Sequence, residues 1–300
     1  MKKRDEVSSF FDIDPPFNKR ENAGFVIIPV PYERTTSYLK GCVKGPEAIK
    51  KASAQVELYE PEVDVEPYRE GIYTAPAIRF GKESESSELD RIRKVAEPYV
   101  AEGKFVVALG GEHTIAVPLV KLFAGKYRNL SVLQIDAHPD LRDSYEGNHL
   151  NHACVGRRII EQAPLVLVGI RSWCAEQQEF IKKAKKRKIR GRKMLSVFPA
   201  RNIVGKRNWQ RKVVECLGDN VYLTLDLDGL DPSVIPAVGT PEPGGLGWYE
   251  TLDLLKEVIR RRRLVGMDMA ELKPVKGDVR GEMAAARLLH RILAYLTKYQ

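Results

Sequence analysis

Short apolar runs recur along the chain, separated by longer segments whose apolar residues return at helical spacing. Phe25–Val30, Phe105–Leu109, Ser131–Ile135, Leu165–Gly169, Leu195–Phe198, Val221–Leu225 and Leu264–Met267 are mostly apolar on both alternating sets of positions. That is the pattern of strands buried on both faces, as in a parallel sheet covered by helices. The segments Gly45–Ala54, Ser87–Ala101, Ile115–Leu122, Ala175–Lys186, Tyr249–Arg262 and Met283–Thr297 predict helices. Gly45-Pro46-Glu47 suits a helix start, with Pro in the first turn and an acid beside it. Lys82–Ser87 reads as a polar surface loop. The alternation predicts an α/β fold: a three-layer, doubly wound, mostly parallel sheet with helices on both faces. No tandem repeat or linker interrupts it, so residues 1–300 are expected as one domain, with residues 1–24 as an N-terminal extension.

With 300 residues, 43% of them hydrophobic, the chain can bury a sizeable core, which excludes global disorder. No apolar run approaches the roughly 18 residues that span a bilayer, and the charged start Met1–Glu6 is unlike a secretory signal. A cytoplasmic protein is expected. Four scattered cysteines, with no C-x-x-C, exclude a zinc ribbon and read as reduced thiols. The net charge of +9 equals the nine basic residues between Lys182 and Lys193, so no protein-wide basic face is implied. That run has no interleaved aromatic platform. It keeps nucleic-acid binding only as a rival from another class.

Four of the five histidines, His113, His138, His149 and His152, lie within forty residues. Three predicted strands end in polar clusters: Gly110-Gly111-Glu112-His113, Asp136-Ala137-His138-Pro139-Asp140, and Asp226-Leu227-Asp228-Gly229. Ligands of open parallel sheets bind beyond the carboxyl ends of the strands, so the three clusters should meet at one edge. Alternate residues of an extended segment share a side, which gathers Asp136, His138 and Asp140, and likewise Asp226 and Asp228. Four carboxylates balance the charge of two divalent ions, and an oxygen-rich set without thiolates suits Mn²⁺ better than Zn²⁺. Two ions about 3.5–4 Å apart can share a water and lower its pKa toward neutrality. Asp231, before Pro232, serves a turn as readily as a metal. The motifs of serine hydrolases, P-loop NTPases, Rossmann dehydrogenases and zincins are absent.

These residues carry a resemblance. GGEHT (Gly110–Thr114), DAHPDLRD (Asp136–Asp143), NHACVGRR (Asn151–Arg158), DLDGLDPSVIPAVGTPEPGGL (Asp226–Leu246) and DMAELKP (Asp268–Pro274) together resemble a ureohydrolase of the arginase/agmatinase family. PVPYERTTSY (Pro29–Tyr38) and GPEAIKKAS (Gly45–Ser53) are similar to the amino-terminal signature of its agmatinase branch. The resemblance implies two Mn²⁺ ions per chain, trimers or hexamers, and hydrolysis of a guanidinium to urea and an amine. His113 and Asp140 would hold one ion and His138 and Asp228 the other, with Asp136 and Asp226 bridging. Glu271 would pair with the substrate guanidinium, and His152 would shuttle the proton. The chain departs from the family at Asn151 (usually Ser), at Pro139 (often Thr), at the extra His149, and at Lys273–Asp278, which lacks a P-x-Y-D.

Agmatine, cleaved to urea and putrescine, is the expected substrate. The acids Asp143 and Glu146, with His149, are candidate contacts for its distal ammonium. Arg142 could meet an acid-tailed compound instead, but it is expected to pair with Asp143 or Glu146 at the surface. The alternatives are aminopropylagmatine, guanidinobutyrate, arginine and formiminoglutamate. A deacetylase of similar fold, a second rival, would carry one zinc.

Overall fold

The computed structural model describes residues 7–189 and 191–300. Its strands are β1 (Phe25–Val30), β2 (Ile72–Thr74), β3 (Phe105–Gly110), β4 (Leu130–Ile135), β5 (Leu165–Ile170), β6 (Lys188–Ile189), β7 (Arg192–Lys193), β8 (Leu195–Pro199), β9 (Asn220–Asp226) and β10 (Arg263–Ala270). Its helices are α1 (Gly45–Ser53), α2 (Glu85–Ala101), α3 (Ala116–Lys126), α4 (Val155–Ile159), α5 (Ala175–Ala184), α6 (Ala200–Ile203), α7 (Trp209–Cys216), α8 (Trp248–Arg261) and α9 (Arg280–Tyr299). Eight strands form one sheet in the order β2-β1-β3-β10-β9-β4-β5-β8, and every pairing in it is parallel.

The strands β1, β4 and β5 are buried along their whole length because helices cover both faces. Alternation divides each strand between two cores. Leu133 and Ile135 of β4 join a core with residues of α1, α7, α8 and α9, whereas Leu130 and Val132 join one with residues of α2, α3, α4 and α5. This is the three-layer arrangement that the apolar runs predict. Residues ahead of β1 belong to the first core: Phe10 and Phe11 are buried, and the Phe11 N–H donates to Ser53 Oγ at 2.8 Å. Helix α2 begins at Glu85, capped by Ser84, so the polar loop is shorter than the sequence suggests. The part of the basic run that is described closes α5 and forms the antiparallel β6-β7 pair; Arg190 lies outside the described residues.

The chain order matters for the site. The last two strands, β9 and β10, insert between β3 and β4. The register keeps their ends level: Leu109 pairs with Met269, Ala270 with Asp226, and Leu225 with Ile135. The four central strands therefore release their chains at one height, side by side.

One buried titratable group lies far from this edge. His290 of α9 donates from Nε2 to the Leu58 carbonyl at 3.1 Å and packs edge-on against Phe11. Burial, with the charges of Arg287 and Arg291, pushes its imidazole down to about 4. A folded-state pKa below the unfolded value of about 6.5 means that the unfolded chain takes up the proton first as pH falls. The contribution is full above pH 6.5 and lost between pH 6.5 and 4. Between pH 7 and 5, wild type should lose about 2 kcal/mol more stability than His290→Gln, measured by urea denaturation.

Candidate metal centre

Beyond β3, the chain turns through Gly110 and Gly111 and places His113 at the start of a short 3-10 turn leading into α3. Beyond β4 come Asp136, His138 and Asp140, and beyond β9 come Asp226 and Asp228. Glu271 follows β10 directly. The turns are pressed close together. A Cβ on Gly229 would lie 2.6 Å from the Asp136 nitrogen, so only glycine lets these two ligand-bearing turns meet. Asp140 (φ 49°) and Glu271 (φ 68°) hold left-handed backbone, a strain of about 1–3 kcal/mol that gathers at functional sites.

Two groups of donors result. His113, Asp136 and Asp140 form one, and Asp136, His138 and Asp228 form the other. Asp136 belongs to both. His113 Nδ1 lies 3.1 Å from Asp140 Oδ2 and 3.4 Å from Oδ2 of both Asp136 and Asp226. His138 Nδ1 lies 3.1 Å from Asp228 Oδ2 and 3.7 Å from Asp136 Oδ1. The six predicted ligands are thus together. The extended alternation expected for Asp136–Asp140 does not hold, however: β4 ends at Ile135, and His138 and Asp140 fall in different groups.

The surrounding hydrogen bonds aim these donors. Thr224 donates its hydroxyl proton to Asp268 at 2.8 Å, so it accepts from His113 Nε2 at 2.8 Å. With Nε2 fixed as a donor, Nδ1 is the nitrogen that faces the three carboxylates and can bind a metal once it gives up its own proton. An imidazole ligand is oriented in this way by the partner of its other nitrogen. Gln134 Nε2 donates to Asp136, and the N–H groups of Ala137, His138 and Asp228 donate to Asp228, Asp136 and Asp226 respectively.

The charges want a cation. Burial and the charges of Asp140 and Asp228 push the Asp136 carboxyl up to about 7. Burial and the charges of Asp228 and Asp136 raise Asp226 well above the carboxylate range. Burial and the Glu112 charge push Glu271 up to about 8. Burial opposes charge on His113 and His138, but the surrounding acids outweigh it and raise both, His138 to about 10. Four aspartates and two imidazoles without a thiolate fit two divalent ions far better than bare repulsion.

Five of the six ligands, His113, His138, Asp140, Asp226 and Asp228, line a cavity of about 290 Å³ together with Glu271 and His152, while Asp136 is fully buried. Glu271 Oε1 accepts from the His113 N–H at 2.7 Å. His152 stands in a short turn capped by Asn151, whose Oδ1 accepts from the Ala153 N–H at 3.0 Å. The asparagine thus does the capping that a serine could do. Thr240 also lines the cavity and donates to Asp228 Oδ2 at 3.1 Å, so the Gly239–Gly245 segment is both a turn and a wall.

Three expected substrate contacts are not on that lining. Asp143 is exposed and paired with Arg158 at 2.8 Å and Arg157 at 3.5 Å. His149 is exposed and bonds the Asp143 carbonyl at 2.8 Å. Glu146 is exposed, at φ 50°, within the tight turn closed by Tyr145 and Asn148. Arg142 and Tyr145 of this segment line the cavity while these three side chains stay exposed outside it, and the arginines satisfy Asp143. Asp231 accepts from Ser233, Gly244 and Gly245 and holds a turn. Sequence reasoning missed Arg171, whose guanidinium donates to the carbonyls of Gly169, Asp228, Gly229, Leu230 and Glu242 and ties the ligand turn to β5. It also missed Trp173 and Gln177 on the lining. No sequence motif marks these residues.

The sequence profile of the arginase family matches residues 23–294. The chain belongs to the arginase family. The N(1)-aminopropylagmatine ureohydrolase of Synechocystis sp. is 40% identical to it, over 91% of this chain and 89% of that protein. The agmatinase of Pyrococcus horikoshii is 31% identical, over 94% and 95%. The crystal structure of an agmatine ureohydrolase of Thermoplasma volcanium superimposes with a TM-score of 0.80 at 30% identity, covering 93% of this chain and 92% of that one. Among the described residues no helix is long and apolar enough to cross a membrane.

Proposed function

We propose that the protein is a two-metal ureohydrolase that cleaves N1-aminopropylagmatine to urea and spermidine. The observation that carries the hydrolase reading is the pair of donor groups that share buried Asp136 and whose other members line a cavity with Glu271 and His152. The choice of substrate rests on the relatives. Aminopropylagmatine ureohydrolases at 40% and 38% identity stand ahead of agmatinases at 30–33%, so agmatine becomes the second expectation.

His113, Asp136, Asp140, His138, Asp226 and Asp228 would hold the ions, and their oxygen-rich set favours Mn²⁺. Bound there, the ions supply activation of water at neutral pH and neutralisation of negative charge developing on the attacked carbon's substituents. Glu271, desolvated and raised by its own surroundings, gains most from a cation, and the planar guanidinium provides one. His152, on the cavity wall, gives a proton to the leaving amine nitrogen as the C–N bond breaks. Tyr38 and Trp173 also line the cavity, 69% and 39% exposed, and ring faces of this kind attract the ammonium groups of a long polyamine.

One observation favours a second substrate class. Arg142 lines the same cavity, stacks over Tyr145 at 4.9 Å, and has no carboxylate at ion-pair distance among the described residues. It suits an acid-tailed compound such as guanidinobutyrate. Urea release from aminopropylagmatine, agmatine, guanidinobutyrate and arginine, and formamide release from formiminoglutamate, with Mn²⁺ at saturation, tests both. The kcat/KM for aminopropylagmatine should exceed that for agmatine about tenfold or more, since an extra buried contact is worth about 1–3 kcal/mol. A preference for guanidinobutyrate would assign Arg142 to substrate and overturn the polyamine reading.

A further inference from the structure

The loop after β1 carries hydroxyls that the reaction above leaves unused. Behind it lies Glu112, fully buried beside His113 yet in neither donor group. Its Oε2 accepts from the N–H groups of Arg34 and Thr35, each at 2.6 Å. Its Oε1 accepts from the hydroxyls of Thr35 at 2.7 Å and Thr114 at 2.6 Å. Four donors fix the carboxylate, and through it the loop.

Thr35 has one hydroxyl proton, committed to Glu112, so its oxygen can only accept from other neighbours. Those neighbours are both on His152: the backbone N–H at 3.0 Å and ring Nδ1 at 3.2 Å. An acceptor opposite Nδ1 demands a proton on Nδ1. The other ring nitrogen, Nε2, lies 3.2 Å from the hydroxyl of Ser37, an exposed residue of the cavity lining. That hydroxyl can donate to a bare Nε2 or accept from a protonated one.

We propose that Thr35, anchored by Glu112, is a positioning residue that holds neutral His152 in the Nδ1–H tautomer and reserves Nε2, against Ser37, for proton exchange. The inference rests on His152 as the proton donor of the proposed hydrolysis and says which nitrogen does the work. Nε2 of the neutral ring first takes up a proton from solvent on the Ser37 side, giving the imidazolium; as the C–N bond breaks, its electron pair goes to the leaving nitrogen, which takes that Nε2 proton. The ring returns to neutral with Nδ1–H in place, because Thr35 has no proton to give back. The hydrogen bond made by one ring nitrogen sets the role of the other, and a wrongly held tautomer can cost as much as about 10⁴ in kcat.

The test compares wild type, Thr35→Val and Thr35→Ser, each as the full chain. With only five histidines, selective ¹⁵N labelling and long-range ¹H–¹⁵N spectra in the presence of Mg²⁺ resolve the tautomer of His152. Wild type and Thr35→Ser should show Nδ1–H, and Thr35→Val should move to Nε2–H or a mixture. With Mn²⁺, Thr35→Val should lose at least about tenfold in kcat, with KM within about twofold and ion content unchanged, and Thr35→Ser should recover most of it. An Nε2–H signal in wild type, or a wild-type kcat in Thr35→Val, overturns the proposal. A wild type that releases no urea from any guanidino compound refutes the hydrolase reading, and the spectra still decide the tautomer.

Discussion

Asp136→Ala should abolish retention of both divalent ions and lower urea release more than about 100-fold, because one carboxylate serves both donor groups. Loss of an outer partner of a metal ligand already costs about 10–100-fold in affinity. The fold should survive. Asp136 is fully buried, and its neighbours Asp140 and Asp228 oppose its charge. The metal-free variant should therefore melt no lower than the metal-free wild type. Wild type should gain on the order of 5 °C when Mn²⁺ is added at a hundred times its dissociation constant, and the variant should gain nothing. Thermal melts with and without Mn²⁺, together with elemental analysis, read all of this. A variant that keeps one full equivalent would show that the two groups do not depend on a shared ligand.

His152→Ala should act on turnover alone. General acid–base catalysis is worth about 10²–10⁴ in rate, and kcat should fall by that factor. His152 lies outside both donor groups, so ion content should match wild type. The same substitution at His149 should do little, since that side chain is exposed and engaged with Asp143. If His149→Ala has the large effect, the proton donor has been placed on the wrong histidine.

The contrast between these two histidines shows what the sequence could reveal. The strands were readable because both alternating sets of positions are apolar, and strand ends in a parallel sheet share an edge. The pattern alone therefore gathers the polar residues at the ends of β3, β4 and β9. Glu271 had only its resemblance, because a single acid after β10 has no pattern of its own. Past the strand ends, direction is set by individual dihedrals. Positive φ at Asp140 accompanies the split of the D-x-H-x-D run between two groups, and positive φ at Glu146 lies in a tight turn that leaves its side chain exposed. No spacing rule anticipates either. Strand β2 has three residues and α7 has eight, too short for a clear period, although Trp209, Val213 and Val214 are buried on one side. Thr35 was invisible as a partner of His152, since 117 positions separate them and the hydroxyl's role depends on Glu112.

A titration of Mn²⁺ into the metal-free protein, followed by urea release from N1-aminopropylagmatine, tests the central claim most directly. The rate should rise to a plateau at two equivalents per chain, and excess chelator should return it to background. A plateau at one equivalent, or full turnover in chelator, would contradict a two-ion hydrolase built on Asp136.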